Sequence, residues 1–159
     1  MAQTGDSLWG LLRNSFDKGG ADRVRDITIT TAQLLALNAT PITIVPAPGA
    51  NRFNLLKGIL LHKPSGVAYA GIAGGEDLEV KYTSASGLEV ARIETTGFLD
   101  QTTAQTRYLY PYAAASAVND ITPTVNAVFV MGLISGEITT GDSDLLLRIF
   151  YNVVPSVLT

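Results

Sequence analysis

Beyond residue 25 the chain is a succession of short β-type segments, rich in Val, Ile, Leu, Thr and aromatic residues and broken at close intervals by Gly, Pro, Asn and Ser. A chain interrupted this often has no room for the long helices that alternate with strands in parallel α/β folds, so those folds are excluded. Strands that must turn back on their neighbours give antiparallel sheets. The expectation is an all-β fold, a jelly-roll-like antiparallel β-sandwich over residues 26–159, preceded by an N-terminal helical arm and linker over residues 1–25.

Residues 26–30, DITIT, alternate isoleucine with polar residues, as a half-buried strand does. Residues 31–38, TAQLLALN, carry helix formers between a threonine and an asparagine, enough for one or two helical turns. Strands are expected at 42–45, closed by Pro46, Pro48 and Gly49, at 51–63, closed by Pro64 and Gly66, and at 67–73, running into Gly74 and Gly75. Residues 78–83 and 88–94 alternate on either side of the turn SASG and read as a hairpin, with Glu79 and Lys81 on a wet face. An irregular stretch at 95–106 precedes a short aromatic strand at 107–112. A small-residue loop at 113–123 leads to an apolar strand at 125–135, buried on both faces. A polar turn at 136–144 then returns the chain through a last strand at 145–154.

The one helical exception with a pattern of its own lies at the start. Residues 6–18, DSLWGLLRNSFDK, place Leu8, Leu11, Leu12 and Phe16 on one helical face, with Trp9 widening the stripe, and Gly19 and Gly20 separate them from the body. Three turns of helix are marginal alone in water, so the stripe must be buried on its own body or on another chain. Leu8, Trp9, Leu11, Leu12 and Phe16 are therefore the candidate partner-binding residues.

Charged residues make up only 16% of the chain, against about a quarter in an ordinary globular domain. Part of the surface is expected to be covered. A formal net charge of -3 argues against nucleic acid as a partner, which calls for a basic face. The arm and linker are themselves balanced, Arg13, Lys18, Arg23 and Arg25 against Asp6, Asp17, Asp22 and Asp26. The first residues carry neither a signal-peptide pattern nor a membrane span, so no membrane association is expected. Cysteine is absent, which excludes disulfides, thiolate nucleophiles and cysteine metal sites.

Little in the sequence suggests catalysis. His62 is the only histidine and reads as a hydrogen-bonded structural residue, since a base or a ligand needs partners. Glu137, Asp142 and Asp144 could offer oxygens to calcium, but their spacing matches no EF-hand and they read as a solvated turn. The GIAGG stretch at 71–75 lacks the Lys-Ser/Thr pair of a phosphate loop. Glu76, Asp77 and Glu79 could imitate a paired-carboxylate site, but their spacing puts Asp77 and Glu79 on one strand face as solvated charges, and no serine sits in a G-x-S-x-G elbow. The expectation is no enzyme, no cofactor and no metal. Tyr108, Tyr110 and Tyr112, at alternate positions of one strand, read as a subunit interface or a glycan platform.

Four segments carry a resemblance: ITITTAQLLALNATPITIVPAPGA at 27–50, GGEDLEVKYTSASG at 74–87, IETTGFLDQT at 93–102 and LISGEITTGDSDLLLRIFYNV at 133–153. Together they resemble small virion structural proteins of tailed bacteriophages, of the capsid decoration or cement type. The resemblance implies a non-enzymatic protein, made in the host cytoplasm, that lies on the capsid exterior of the virion, with the major capsid protein as partner and a homo-oligomeric state, dimer or trimer. The competing expectation is a carbohydrate-binding or receptor-adhesion module of a head fibre or tail. A minor tail or connector component shares the same fold and differs in location.

Overall fold

The computed structural model describes residues 22–72, 74–111 and 121–157. The arm stripe of Leu8, Trp9, Leu11, Leu12 and Phe16, and Tyr112, lie outside these residues. The described residues form eight strands and one short helix: β1 (Asp22–Ile29), α1 (Thr31–Leu35), β2 (Ile42–Val45), β3 (Arg52–Lys63), β4 (Leu78–Tyr82), β5 (Glu89–Ile93), β6 (Gln105–Leu109), β7 (Phe129–Leu133) and β8 (Leu145–Pro155).

The strands make two four-stranded sheets, ordered β1-β8-β3-β6 and β2-β7-β4-β5, and their pairings are antiparallel. First pairs with last, second with seventh, third with sixth and fourth with fifth. That order is what results when a long antiparallel ribbon is bent in half and wrapped around a core, and it is the jelly roll. The expected all-β jelly-roll sandwich is the observed fold.

β8 holds the first sheet together. Leu145, Leu147, Ile149, Tyr151 and Val153 point into the core, while Leu146, Arg148 and Phe150 point outward. The second sheet meets this layer with Leu78, Val80 and Tyr82 of β4 and Phe129, Met131 and Leu133 of β7. The rings of Tyr82 and Phe129 pack at 4.8 Å between centroids, tilted by 42°. α1 is started by a capping box in which Thr30 and Gln33 exchange backbone and side-chain hydrogen bonds, and it buries Leu34.

Several elements depart from expectation. β1 begins at Asp22, ahead of the DITIT alternation, because Asp22 to Asp26 already pair with Asn152 to Arg148 of β8. The strand expected at 67–73 does not form over its described residues, 67–72. Single backbone bonds tie this stretch to three places, Gly66 N–H to Thr102, Tyr69 N–H to Leu99 and Ala70 C=O to Thr139, and Gly71 takes φ +79°. A chain bonded this way is a strap, with no single neighbour to supply a ladder. β6 ends at Leu109, just before the Pro111 that cannot continue it. β7 keeps only the centre of its apolar run, because Asn126 at φ 54° turns the chain and gives its N–H to Arg52 C=O.

The wet face expected for the β4–β5 hairpin is a further correction. Glu79 is only 3% exposed and is paired with Lys81 at 2.5 Å. Lys63, at the end of β3, is buried as well, its ammonium donating to the Pro64 and Gln101 carbonyls at 3.2 and 2.8 Å. Burial pulls its pKa below the ordinary lysine value, against the attraction of Asp142.

Candidate functional site

The outer face of the β1-β8-β3-β6 sheet is built from alternate residues of four strands. Register sets Val24 beside Phe150 and Gly58, Asp26 beside Arg148, Leu60 and Tyr108, and Thr28 beside Leu146, His62 and Thr106. Such a face in a free sandwich is normally polar. Here Val24, Leu55, Leu60, Leu146, Tyr108 and Tyr110 are all exposed. Large apolar side chains thus sit on both faces of β8.

A β-bulge makes this possible on β3. Leu56 pairs with Tyr151 and Gly58 with Phe150, so Lys57 is the extra residue. The bulge reverses which residues face inward: Asn54 and Leu56 are buried before it, Ile59 and Leu61 after it. Leu60 and His62 are thereby turned out onto the face. The displaced Lys57 reaches Asp22 at 2.9 Å.

Gly58 leaves a bare patch at the centre of the sheet, and the Tyr108 ring fills it. A β-carbon added at residue 58 would overlap the Tyr108 hydroxyl and ring end. Tyr108 stands 6.4 Å from the Phe150 ring and meets Tyr110 edge-on at 4.6 Å and 73°. Two hollows of about 300 Å³ each flank this arrangement. One lies among Asp26, Thr28, Leu60, His62, Leu146 and Arg148, the other among Asp22, Arg23, Val24, Lys57, Tyr108 and Phe150.

Charges on the face are satisfied locally. Arg148 holds Asp26 through two hydrogen bonds of 2.8 and 2.7 Å. These bonds keep the Asp26 carboxyl below its usual range and push the Arg148 guanidinium up, and Lys57 lowers Asp22 in the same way. Both pairs are exposed and so add little to stability. His62 Nδ1 lies 2.9 Å from Thr106 Oγ1, a hydrogen bond between neighbouring strands.

Tyr108 and Tyr110, singled out from sequence, are on or beside this face, 43% and 69% exposed. Val24, Leu60, Leu146 and Phe150 were not singled out. Their signal was the presence of large apolar residues at both parities of LLLRIFY and GILLHK, which one-sided burial does not explain.

The other candidate residues have structural tasks. Asp142 Oδ1 accepts the Val67 N–H at 2.6 Å, and Asp144 Oδ1 accepts the Thr31 N–H at 2.8 Å. The Tyr69 hydroxyl donates to the Ser143 carbonyl, and burial raises its pKa. Glu137 is exposed beside this loop. Glu76 Oε2 accepts the Gly74 N–H at 2.8 Å, and Asp77 Oδ1 accepts the Thr95 N–H at 3.4 Å. Among the described residues no three His, Asp or Glu side chains converge in a way that could hold a metal ion. No helix among them is long and apolar enough to cross a membrane.

The fold and this face define a jelly-roll sandwich that exposes large apolar side chains on the outside of one sheet. No protein-family model matches the chain, and no curated protein is similar to it at a significant level.

Proposed function

We propose that the chain is a non-enzymatic structural component of a tailed-phage virion, a decoration or cement protein that binds the outer capsid shell and stabilises contacts between subunits. The observation that carries this reading is the apolar outer face of the β1-β8-β3-β6 sheet, with Val24, Leu60, Leu146, Tyr108 and Phe150 on an otherwise complete sandwich. Exposed apolar area of this kind marks a contact surface. The major capsid protein and further copies of this chain are the proposed partners, in a dimer or trimer. Leu8, Trp9, Leu11, Leu12 and Phe16 are the proposed contact residues of the arm, each worth roughly 1.5 to 3 kcal/mol on full burial. Several weak contacts on a symmetric lattice then add by avidity.

The test is cosedimentation of the purified protein with capsids that lack it. Full-length protein is expected to pellet with the shells and to raise their heat resistance, and deletion of residues 1–20 is expected to abolish both. Unchanged binding of the deleted protein removes the arm from the mechanism, and no binding by the full chain removes the cement reading.

A second reading rests on Tyr108 and Tyr110, two exposed rings in edge-on contact, with Arg148 and Asp26, groups that can hydrogen-bond sugar hydroxyls, further across the same sheet face. Under it the chain is a carbohydrate-binding or adhesion module of a fibre or tail. Titration with host polysaccharide separates the two, since saturable binding lost in Tyr110→Ala belongs to the second alone.

A further inference from the structure

We propose that the outer face of the β1-β8-β3-β6 sheet is the docking surface for residues 6–18 of this chain, the segment that precedes β1. The proposal rests on the reading of the chain as an assembly component whose arm makes contacts, and it names the surface the arm contacts in the isolated protein.

Position is the first ground. Residues 1–21 lead directly into β1, which is an edge strand of this sheet. The first residues of β1, Asp22, Arg23 and Val24, themselves line one of the two hollows. Only Gly19, Gly20 and Ala21 stand between Lys18 and Asp22. Four peptide units reach at most about 14 Å, so the end of the segment is held close to the hollow. Two consecutive glycines allow the chain to reverse over the edge strand at no steric cost.

Size is the second. From Leu8 to Phe16 a helix rises about 12 Å. On the face, the outward apolar side chains run from Val24 and Phe150, past Leu60 and the Asp26–Arg148 pair, to Leu146, four residues of strand, about 13 Å. A helix about 10 Å across covers two to three strands spaced at about 4.8 Å, which matches the width from β1 to β3.

Charge is the third. Asp22 with Lys57 and Asp26 with Arg148 are already paired, and the segment carries Asp6 and Asp17 against Arg13 and Lys18. Both carboxylates of the face thus already hold a cation and the segment is neutral in sum, so an apolar stripe can be laid there without leaving a carboxylate of the face unpaired.

Trp9 is the only tryptophan in the chain, so its fluorescence reports this segment alone. In the full-length protein Trp9 is expected to emit further to the blue than in a free peptide of residues 1–20 and to be several-fold less accessible to acrylamide. The double variant Leu60→Asp, Leu146→Asp, both at outward positions, is expected to return both readings to those of the peptide while the far-UV spectrum of the body is unchanged. If the aspartates depress folding, Leu60→Ser with Leu146→Ser makes the same comparison. Wild-type Trp9 that already behaves as in the peptide overturns the proposal, and so does a shielded Trp9 that the face variants leave unchanged.

A second copy is the rival occupant. A dimer that survives Leu12→Asp, Phe16→Asp but is lost in the face variant means that two sheets pack on each other, and it overturns the proposal. Where the proposal holds, the mass in solution tells whether the arm docks on its own body or on a neighbour's. Failure at Trp9 combined with arm-dependent capsid binding leaves the assembly reading standing, whereas a shielded Trp9 in a full chain that binds no capsid sinks that reading and not this one.

Discussion

The ring of Tyr108 lies across the α-carbon of Gly58, passing from the edge strand β6 over the central strand β3. The position fits both residues: glycine supplies the space, and the tyrosine covers a stretch of backbone that would otherwise face water. Gly58 is buried for this reason although it sits on the outer face.

This relationship predicts an asymmetry between two glycine substitutions. In Gly58→Ala the obstacle is the far end of a half-exposed side chain, so Tyr108 swings out and the fold survives at a cost of about 1 kcal/mol or less. In Gly87→Ala the new β-carbon overlaps the backbone carbonyl of Tyr82. The turn must rebuild, with a loss of roughly 2 kcal/mol or more. Urea unfolding of the two variants checks the order, and equal losses would contradict it.

Asn54 supports a second prediction. It is fully buried, and its amide donates to the Pro46 and Ala127 carbonyls at 2.9 and 3.1 Å, joining the β2 exit to the β7 entry. Asn54→Ala leaves both acceptors without that donor and is expected to cost about 1 to 3 kcal/mol. Asn54→Asp instead faces two carbonyl oxygens with a carboxyl that folding keeps protonated. Its pKa in the folded state is raised, so the variant is expected to be closest to wild type near pH 4 and to weaken as pH rises. Thermal melts from pH 4 to 8 read the trend, and a flat difference across that range would refute it.

What sequence made legible was whatever obeyed a single periodicity. β8 alternates without interruption, and the β4–β5 hairpin is bounded by a turn whose residues suit it, so both stand where expected. β3 breaks the rule at Lys57: one added residue reverses the inward parity, and a run such as FNLLKGILLHK carries no local mark of where that happens. The strap at 67–72 has a strand's composition but no continuous partner, and partners are set by topology. Glu79 alternates as a solvent-facing residue would, yet it is buried and paired with Lys81, and the local pattern contains no sign of that. The same limit hid the apolar outer face. Tyr108 was legible as an aromatic, but Val24, Leu60, Leu146 and Phe150 become one surface only when β1, β8 and β3 are side by side.

Alkaline pH should act through buried groups in opposite directions, the tyrosines Tyr82 and Tyr69, both raised by burial, on one side and Lys63 on the other. The Tyr82 hydroxyl donates to the Asn54 carbonyl at 2.5 Å, and burial pushes its pKa up to about 12 from 10.0. Its contribution is complete below pH 10 and is lost as pH rises from 10 to about 12, roughly 2 to 3 kcal/mol in all. Lys63 has a lowered pKa in the folded state, so the unfolded chain holds the proton longer and stability rises with pH until the ordinary lysine value of 10.5 is passed. Stability should therefore climb gently on the alkaline side and then fall above pH 10. Denaturant unfolding from pH 8 to 12, with tyrosinate absorbance read alongside, tests this. In Tyr82→Phe the late fall should shrink, and an unchanged fall would assign it elsewhere.

The pair formed by Glu79 and Lys81 yields the sharpest stability prediction. Glu79 is nearly inaccessible, and Lys81 serves it at 2.5 Å while also donating to the Ala85 carbonyl in the turn at 2.7 Å. A buried pair of this kind repays the desolvation of its charges only while both partners are present. Lys81→Met removes the paired cation and leaves the carboxylate buried, which is expected to cost about 3 to 5 kcal/mol. Glu79→Gln removes the charge that needs compensation and keeps the shape, and should cost less. The double variant Glu79→Gln, Lys81→Met should lie well above the sum of the singles, recovering about 1 to 3 kcal/mol as coupling energy. Additive losses in that cycle would mean that Lys81 acts through the turn at Ala85 and not through the carboxylate.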